Sequence, residues 1–104
     1  MATSLNNLAI LAWEQGAAAQ AVPLAQRALA IREQVLGLDH PLVGASLNTL
    51  ARLYQDQRRE EEALALAQRA LRVLQPALGP EHPDVVKTRI LQTELLRALR
   101  AGSR

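Results

Sequence analysis

Residues 24–29, LAQRAL, occur again without change at residues 66–71, and this pair of identical hexapeptides decides the fold. The shift of 42 residues that relates them also superposes SLN at 4–6 on 46–48, LG at 36–37 on 78–79 and HP at 40–41 on 82–83. Over positions 4–45 the shift gives 19 identities without a gap, which is far more than chance supplies. The chain is therefore an internal duplication, and a period of about 20 to 50 residues is typical of solenoid repeats.

Each 42-residue unit is predicted to form two helices, because its apolar residues recur at the spacing of an α-helix. In the first unit we expect helices from about Thr3 to Gln15 and from about Ala18 to Leu36. In the second unit we expect helices from about Pro41 to Asp56 and from about Glu60 to Leu78. Gly16, Gly37 and Gly79 follow the expected ends of three of these helices, and Pro41 begins the third helix, as is common at helix ends and starts.

A fifth helix is expected from about Pro83 to Arg100, and there the repeat pattern decays. Leu8 and Leu50 correspond to Gln92 in this helix, so an apolar position has become polar. A helix with a polar outer face suits the end of a solenoid, where no further unit covers it.

The sequence thus predicts an all-α fold, an α-solenoid of antiparallel helix hairpins with two full units and a C-terminal capping helix. We expect one domain over residues 1–104, with unit 1 at about 3–40, unit 2 at about 41–82 and the capping helix at about 83–100.

Composition supports helices and argues against several classes of function. Half of the residues are hydrophobic, yet the only aromatic ones are one Trp and one Tyr, so Leu and Ala must form the core. The net charge of +2 lacks the dense basic patch of a nucleic-acid binder. No apolar run approaches the ~18 residues of a membrane span, and the N-terminus does not resemble a signal peptide. We expect a cytoplasmic protein that binds neither nucleic acid nor membranes.

No motif for catalysis, a cofactor or a metal is present. The chain has no glycine-rich phosphate loop, no HExxH sequence and no serine elbow. His40 and His82 recur because they belong to the repeated loop, and there is no cysteine to complete a zinc site. The prediction is a protein that is not an enzyme and that needs no cofactor or metal.

The two-helix unit resembles the tetratricopeptide repeat, in the 42-residue form found in kinesin light chains and related bacterial proteins. The strings that carry the resemblance are LNNLAILA at 5–12, SLNTLARLY at 46–54, and the loops LGLDHPLV at 36–43 and LGPEHPDV at 78–85. The resemblance covers nearly the whole chain. Two residues depart from the family pattern. Ala12 stands where the family usually has tyrosine, as at Tyr54, and Arg58 stands where it usually has glycine, as at Gly16.

The resemblance implies a right-handed superhelix whose concave groove is lined by the first helix of each unit and binds extended peptides or partner helices. The candidate groove residues that it implies are Asn6, Ile10, Trp13, Asn48, Arg52, Gln55, Ile90 and Glu94. Thr3, Glu14, Asp56, Lys87 and Arg97 are implied on the same face.

The chemistry of these side chains suits a peptide, although each also has a structural interpretation. The amides of Asn6 and Asn48 offer donors and an acceptor for a peptide backbone, but amides also bridge neighbouring helices or face water. Arg52 suits a carboxylate in forked geometry. Trp13 is either a binding anchor or a filler of the core.

Three functions follow from this reading. The first is a protein–protein interaction module that holds a peptide or helix of unknown identity in the concave groove. The second is structural, a repeat segment that self-associates as a homo-oligomer or belongs to a longer array, because about three repeats are usually needed for stability. The third, RNA binding through arginine-bearing helices, is disfavoured by the balanced charge.

Overall fold

The computed structural model describes residues 2–102, and these form five α-helices with no strand. The helices are α1 (Ala2–Glu14), α2 (Ala18–Leu36), α3 (Pro41–Asp56), α4 (Glu60–Leu78) and α5 (Pro83–Gly102). The all-α prediction is confirmed. The predicted bounds of α2, α3 and α4 are those observed. The bounds of α1 were wrong by one residue at each end, and α5 runs two residues beyond its predicted end.

The helices are arranged in two layers. α1 packs on α2 and α3 packs on α4 as hairpins, while α2 also contacts α3 and α4 also contacts α5. The backbones of the first helices approach one another, α1 with α3 and α3 with α5, whereas within residues 2–102 α2 and α4 are joined by their side chains, in an ion pair between Glu33 and Arg69. Because the first helices lie closer together than the second helices, the stack curves with α1, α3 and α5 on its inner, concave side.

Small side chains let the helices approach closely, as the composition predicts. Ala9, Ala21, Ala51 and Ala63 are completely buried where the helices of a hairpin cross. Gly44 marks the tightest approach, since a Cβ atom there would lie 2.6 Å from the side chain of Leu74. At this point the backbone of α3 therefore lies directly against side chains of α4.

Both loops between units start the next helix in the same way. The Nδ1 atom of His40 accepts a hydrogen bond of 3.0 Å from the backbone N–H of Leu42, and His82 does the same for Asp84 at 3.1 Å. Each imidazole thus caps a helix N-terminus whose first residue is proline. These two caps explain why a histidine occurs in each of the repeated loops.

The start of α4 carries a further electrostatic contact. Arg59 makes a forked pair with Glu62 in the first turn, with N–O distances of 2.8 and 2.6 Å. The hydrogen bond from Arg59 lowers the pKa of Glu62, and the same bond raises the pKa of Arg59. The Arg59 guanidinium also lies 4.2 Å from the centre of the Tyr54 ring, which connects the end of α3 to the start of α4.

Candidate functional site

The inner face of the stack is formed by side chains three or four residues apart on α1, α3 and α5, a spacing that keeps them on one side of each helix. The eight predicted groove residues all belong to these helices, and six of them line two adjoining hollows. Asn6 and Asn48 do not line either hollow.

The first hollow lies between α1 and α3 and has a volume of about 370 Å³. Its lining residues are Ile10, Trp13, Glu14, Thr49 and Arg52. One wall is therefore apolar and aromatic, while a carboxylate and a guanidinium stand at its rim.

The second hollow lies between α3 and α5 and has a volume of about 330 Å³. Its lining residues are Arg52, Gln55, Lys87, Ile90, Leu91 and Glu94. Ile90 is 54% exposed, so it presents an apolar side chain to solvent in the middle of the face. The Nε2 atom of Gln55 donates to Oε1 of Glu94 at 3.3 Å and joins the two helices across the hollow.

Trp13 is held in place on both sides of its ring. Its indole N–H donates to Oδ2 of Asp56, so the α1 side chain is tied to α3. The guanidinium carbon of Arg52 lies 4.7 Å from the centre of the indole ring, a cation–π contact. The ring also packs against the buried core. Trp13 therefore packs against the core with one part of its ring and lines the first hollow with another.

Arg52 stands between the two hollows and lines both of them. It is exposed, and within residues 2–102 no carboxylate forms an ion pair with it. Lys87 lines the second hollow. It is also exposed, and within residues 2–102 no carboxylate forms an ion pair with it. Arg52 and Lys87 are therefore cations that a ligand carboxylate in these hollows would meet.

Asn6 and Asn48 occupy equivalent positions on α1 and α3. The Oδ1 atom of each amide is buried, and neither oxygen has a hydrogen-bond partner among the described residues. A buried acceptor without a partner costs about 1–3 kcal/mol. The nitrogen atoms of the same two amides are not among the buried atoms that lack a hydrogen-bond partner. Among the described residues, neither amide oxygen is hydrogen-bonded to a neighbouring helix.

Two lining residues were not predicted from the sequence. Thr49 lines the first hollow and Leu91 the second, and they are equivalent positions one period apart. Each directly follows a predicted groove residue, Asn48 or Ile90, so the repeat register contained the signal.

Neither a metal site nor a membrane span can be built from the described residues. Over residues 2–102 no three His, Cys, Asp or Glu side chains come together as a metal would require. In the same part of the chain, every helix is too short or too polar to cross a membrane. The imidazoles of His40 and His82 are occupied with the helix caps.

Two similarities to known proteins bear on the family of this chain. The model of the tetratricopeptide repeat family matches residues 1–75. The crystal structure of nearly identical TPR-like repeats from a Podosopora anserina protein classed as a kinesin light chain aligns with a TM-score of 0.76 and 32% sequence identity. That alignment covers 97% of this chain and 46% of the other, so this chain spans less than half of the length of its relative. No curated protein matches. The predicted α-solenoid is confirmed.

Proposed function

Because the chain belongs to the tetratricopeptide repeat family, whose members are in general non-catalytic scaffolds for protein contacts, we propose that its inner face binds an extended peptide or a helix of another protein. The membership confirms the resemblance drawn from the repeated strings. The binding of a peptide at this face is the further step that the following contacts support.

The observation that carries the proposal is the pair of equivalent amides on consecutive inner helices, Asn6 and Asn48, whose oxygens have no internal partner. An amide nitrogen donates to a peptide carbonyl, and rotation of the same amide presents its oxygen to a peptide N–H. Groups that contact the backbone in this way hold a chain of any sequence, while neighbouring side chains supply selectivity.

Selectivity in this proposal comes from the two hollows. Ile90 and the exposed part of Trp13 offer apolar contact, and Arg52 and Lys87 offer two cations without carboxylate partners among the described residues. A peptide that places a carboxylate near Arg52 and an apolar side chain near Ile90 fits both features. Arg52 is suited to the carboxylate because its planar guanidinium donates two parallel hydrogen bonds.

The test starts with a random peptide library displayed on phage and selected on the purified chain. The selected peptide is then titrated calorimetrically into the natural chain and into the double variant Asn6→Ala with Asn48→Ala. Loss of two hydrogen bonds of about 0.5–1.5 kcal/mol each predicts roughly 5- to 150-fold weaker binding. Because neither amide oxygen has an internal partner, the free energy of unfolding is not expected to fall in this variant.

The matched control replaces two exposed amides of the outer layer, Gln20→Ala with Gln34→Ala on α2. This variant is expected to bind the peptide unchanged. Binding at the inner face is also expected to change the fluorescence of Trp13, which is the only tryptophan. Equal affinity of both double variants, with no change in fluorescence, would show that the peptide site lies elsewhere.

A second candidate function is structural, and the exposed apolar residues of α1 favour it. Leu8 and Leu11 are 51% and 50% exposed, although leucines at equivalent positions of the repeat are buried. In a repeat segment of this kind, self-association or further repeats would cover these exposed leucines. Sedimentation equilibrium tests the first of these: a dimer at micromolar concentration would support self-association, and a monomer would argue against it.

A further inference from the structure

One side-chain contact between the inner helices recurs at the same place in the repeat. Trp13 and Arg52, which join α1 to α3, lie one period before Gln55 and Glu94, which join α3 to α5. In the first contact the guanidinium of Arg52 lies over the indole ring of Trp13. In the second contact the amide of Gln55 donates to the carboxylate of Glu94. The repeat therefore keeps the place of this contact and changes its chemistry.

A third residue, Asp56, takes part in the first contact and lies one turn after Arg52 on α3. A cation and a carboxylate four residues apart on a helix are close enough to form an ion pair. Both side chains are exposed, yet within residues 2–102 they form no ion pair with each other. The first contact thus keeps apart two charges that helical spacing would bring together.

Trp13 accounts for this separation, because it engages each of the two charges with a different part of its indole. The ring N–H donates to Oδ2 of Asp56, and the guanidinium carbon of Arg52 lies 4.7 Å from the ring centre. An exposed ion pair on a helix is weak, and it is weaker still when the cation precedes the carboxylate, as it does here. A hydrogen bond to a carboxylate and a cation–π contact together outweigh such a pair.

The second contact has no pair of charges to separate, and it has no aromatic residue. Glu94 occupies the position of Arg52, and the residue one turn after it is Ala98. Gln55, at the position of Trp13, donates to the carboxylate of Glu94 itself. The one tryptophan of the chain thus stands where a cation and a carboxylate follow each other on the next inner helix.

We propose that Trp13 is a positioning residue that keeps Arg52 apart from Asp56, so that the guanidinium is available to a carboxylate of the bound peptide. This inference rests on the proposed function, in which Arg52 receives that carboxylate. A guanidinium that lies with its face over a ring still directs the N–H groups at its edge outward. Glu14 is a carboxylate of the first hollow, and within residues 2–102 it forms no ion pair with Arg52 either.

The test compares the peptide selected on the natural chain with the same peptide after its acidic residues are replaced by Asn or Gln. The ratio of the two affinities, measured by calorimetry, is the preference for an acidic peptide. In the natural chain we expect a preference of about tenfold or more. Trp13→Leu is expected to reduce it by about threefold to tenfold, because the cation–π contact is lost and Asp56 pairs with Arg52. A purely structural role of Trp13 would weaken the binding of both peptides equally and leave the ratio unchanged.

The variant Asp56→Asn tests the carboxylate that Trp13 holds. Asparagine still offers an oxygen to the indole N–H, but it does not form an ion pair with Arg52. We expect it to raise the preference by about twofold more in the Trp13→Leu background than in the natural chain. The matched control Glu14→Gln removes a carboxylate that lines the first hollow, and its effect is expected to be the same in both backgrounds.

A crystal structure of the Trp13→Leu variant without peptide tests the inference independently of binding. We expect Arg52 and Asp56 to form an ion pair in it, with a distance from nitrogen to oxygen below about 4 Å. If this variant does not fold, Trp13→Phe takes its place, because phenylalanine keeps a ring and lacks the N–H group. The same ion pair and a smaller loss of preference are then expected.

Three results would overturn the proposal. They are Arg52 and Asp56 still apart in the variant structure, a preference for the acidic peptide that does not differ between the natural chain and the Trp13 variant, or an equal effect of Asp56→Asn in both backgrounds. The proposed function fails on a different result, which is equal binding of the selected peptide to the natural chain and to Asn6→Ala with Asn48→Ala.

Discussion

Arg58 shows how a single residue can depart from the repeat while the backbone does not. Its φ angle is 62°, close to the 82° of Gly16 at the equivalent position. An L-residue in this left-handed region crowds its own Cβ, at a cost of roughly 1–2 kcal/mol that glycine avoids. The loop before α4 therefore keeps the conformation of the loop before α2 with a less suitable residue.

We predict that Arg58→Gly raises the free energy of unfolding by up to about 1 kcal/mol, because relief of the strain is offset in part by the greater freedom of glycine in the unfolded chain. Urea denaturation followed by circular dichroism measures the change. The reciprocal control, Gly16→Ala, is expected to destabilise the protein. An Arg58→Gly variant that is less stable than the natural chain would show that the arginine side chain makes a stabilising contact.

For single side chains of the inner face, the repeat pattern predicts the side of the helix on which each one lies but not the residue with which it forms a hydrogen bond. Periodicity places Trp13 and Asp56 on the same side of their helices, and both residues were assigned to that face. Their hydrogen bond depends on the angle and offset between α1 and α3, which helical spacing does not determine. The buried oxygens of Asn6 and Asn48 have the same origin, since burial depends on how closely neighbouring helices pack.

At the scale of the helix, the N-terminus of α3 depends on an unusual cap. His40 supplies the acceptor that Ser, Thr, Asp or Asn supplies more often, and only an unprotonated ring nitrogen can accept. Pro41 at the next position is preorganised for a helix and needs no acceptor of its own.

We predict that His40→Ala lowers the free energy of unfolding by about 0.5–2 kcal/mol, the usual cost of removing an N-cap. His40→Asp retains an acceptor at the same position, so it is expected to keep most of the stability. Denaturation of the two variants beside the natural chain provides the measurement. Equal stability of the Ala and Asp variants would show that the imidazole contributes by packing rather than by its hydrogen bond.

The helix bounds themselves could be predicted because proline and glycine interrupt the pattern so clearly. Pro41 begins α3, and Gly37 and Gly79 follow the ends of α2 and α4. The predicted ends of α1 and α5 differ from the observed ends by one and two residues, although Gly16 and Gly102 lie close to them. The capping atom of His40 could not be foreseen, because the same loop also contains Asp39, a more common type of cap.

For the whole molecule, the buried residues form one cluster that extends from α1 to α5. Leu47 is fully buried on α3, the helix that contacts all the others. A stack of this length is expected to unfold as one unit, since a single buried cluster runs through both hairpins.

We predict that Leu47→Ala lowers the free energy of unfolding by about 2–5 kcal/mol and leaves the transition cooperative. Circular dichroism reports on all five helices, while the fluorescence of Trp13 reports on the contact between α1 and α3. Both signals are expected to shift together to lower denaturant. The control Val35→Ala, at a side chain that is 73% exposed, is expected to change stability by less than about 0.5 kcal/mol. Two separate transitions would mean that the hairpins unfold independently.

The wide spacing of α2 and α4 in the outer layer has a mechanical consequence. The backbones of adjacent first helices are in contact, while among the described residues α2 and α4 are joined by the ion pair between Glu33 and Arg69, so bending about the inner layer disturbs few contacts. The stack is thus expected to be stiffer along its inner side than along its outer side. A load applied at its ends would change the curvature, and with it the width of the inner face, before any helix unfolds.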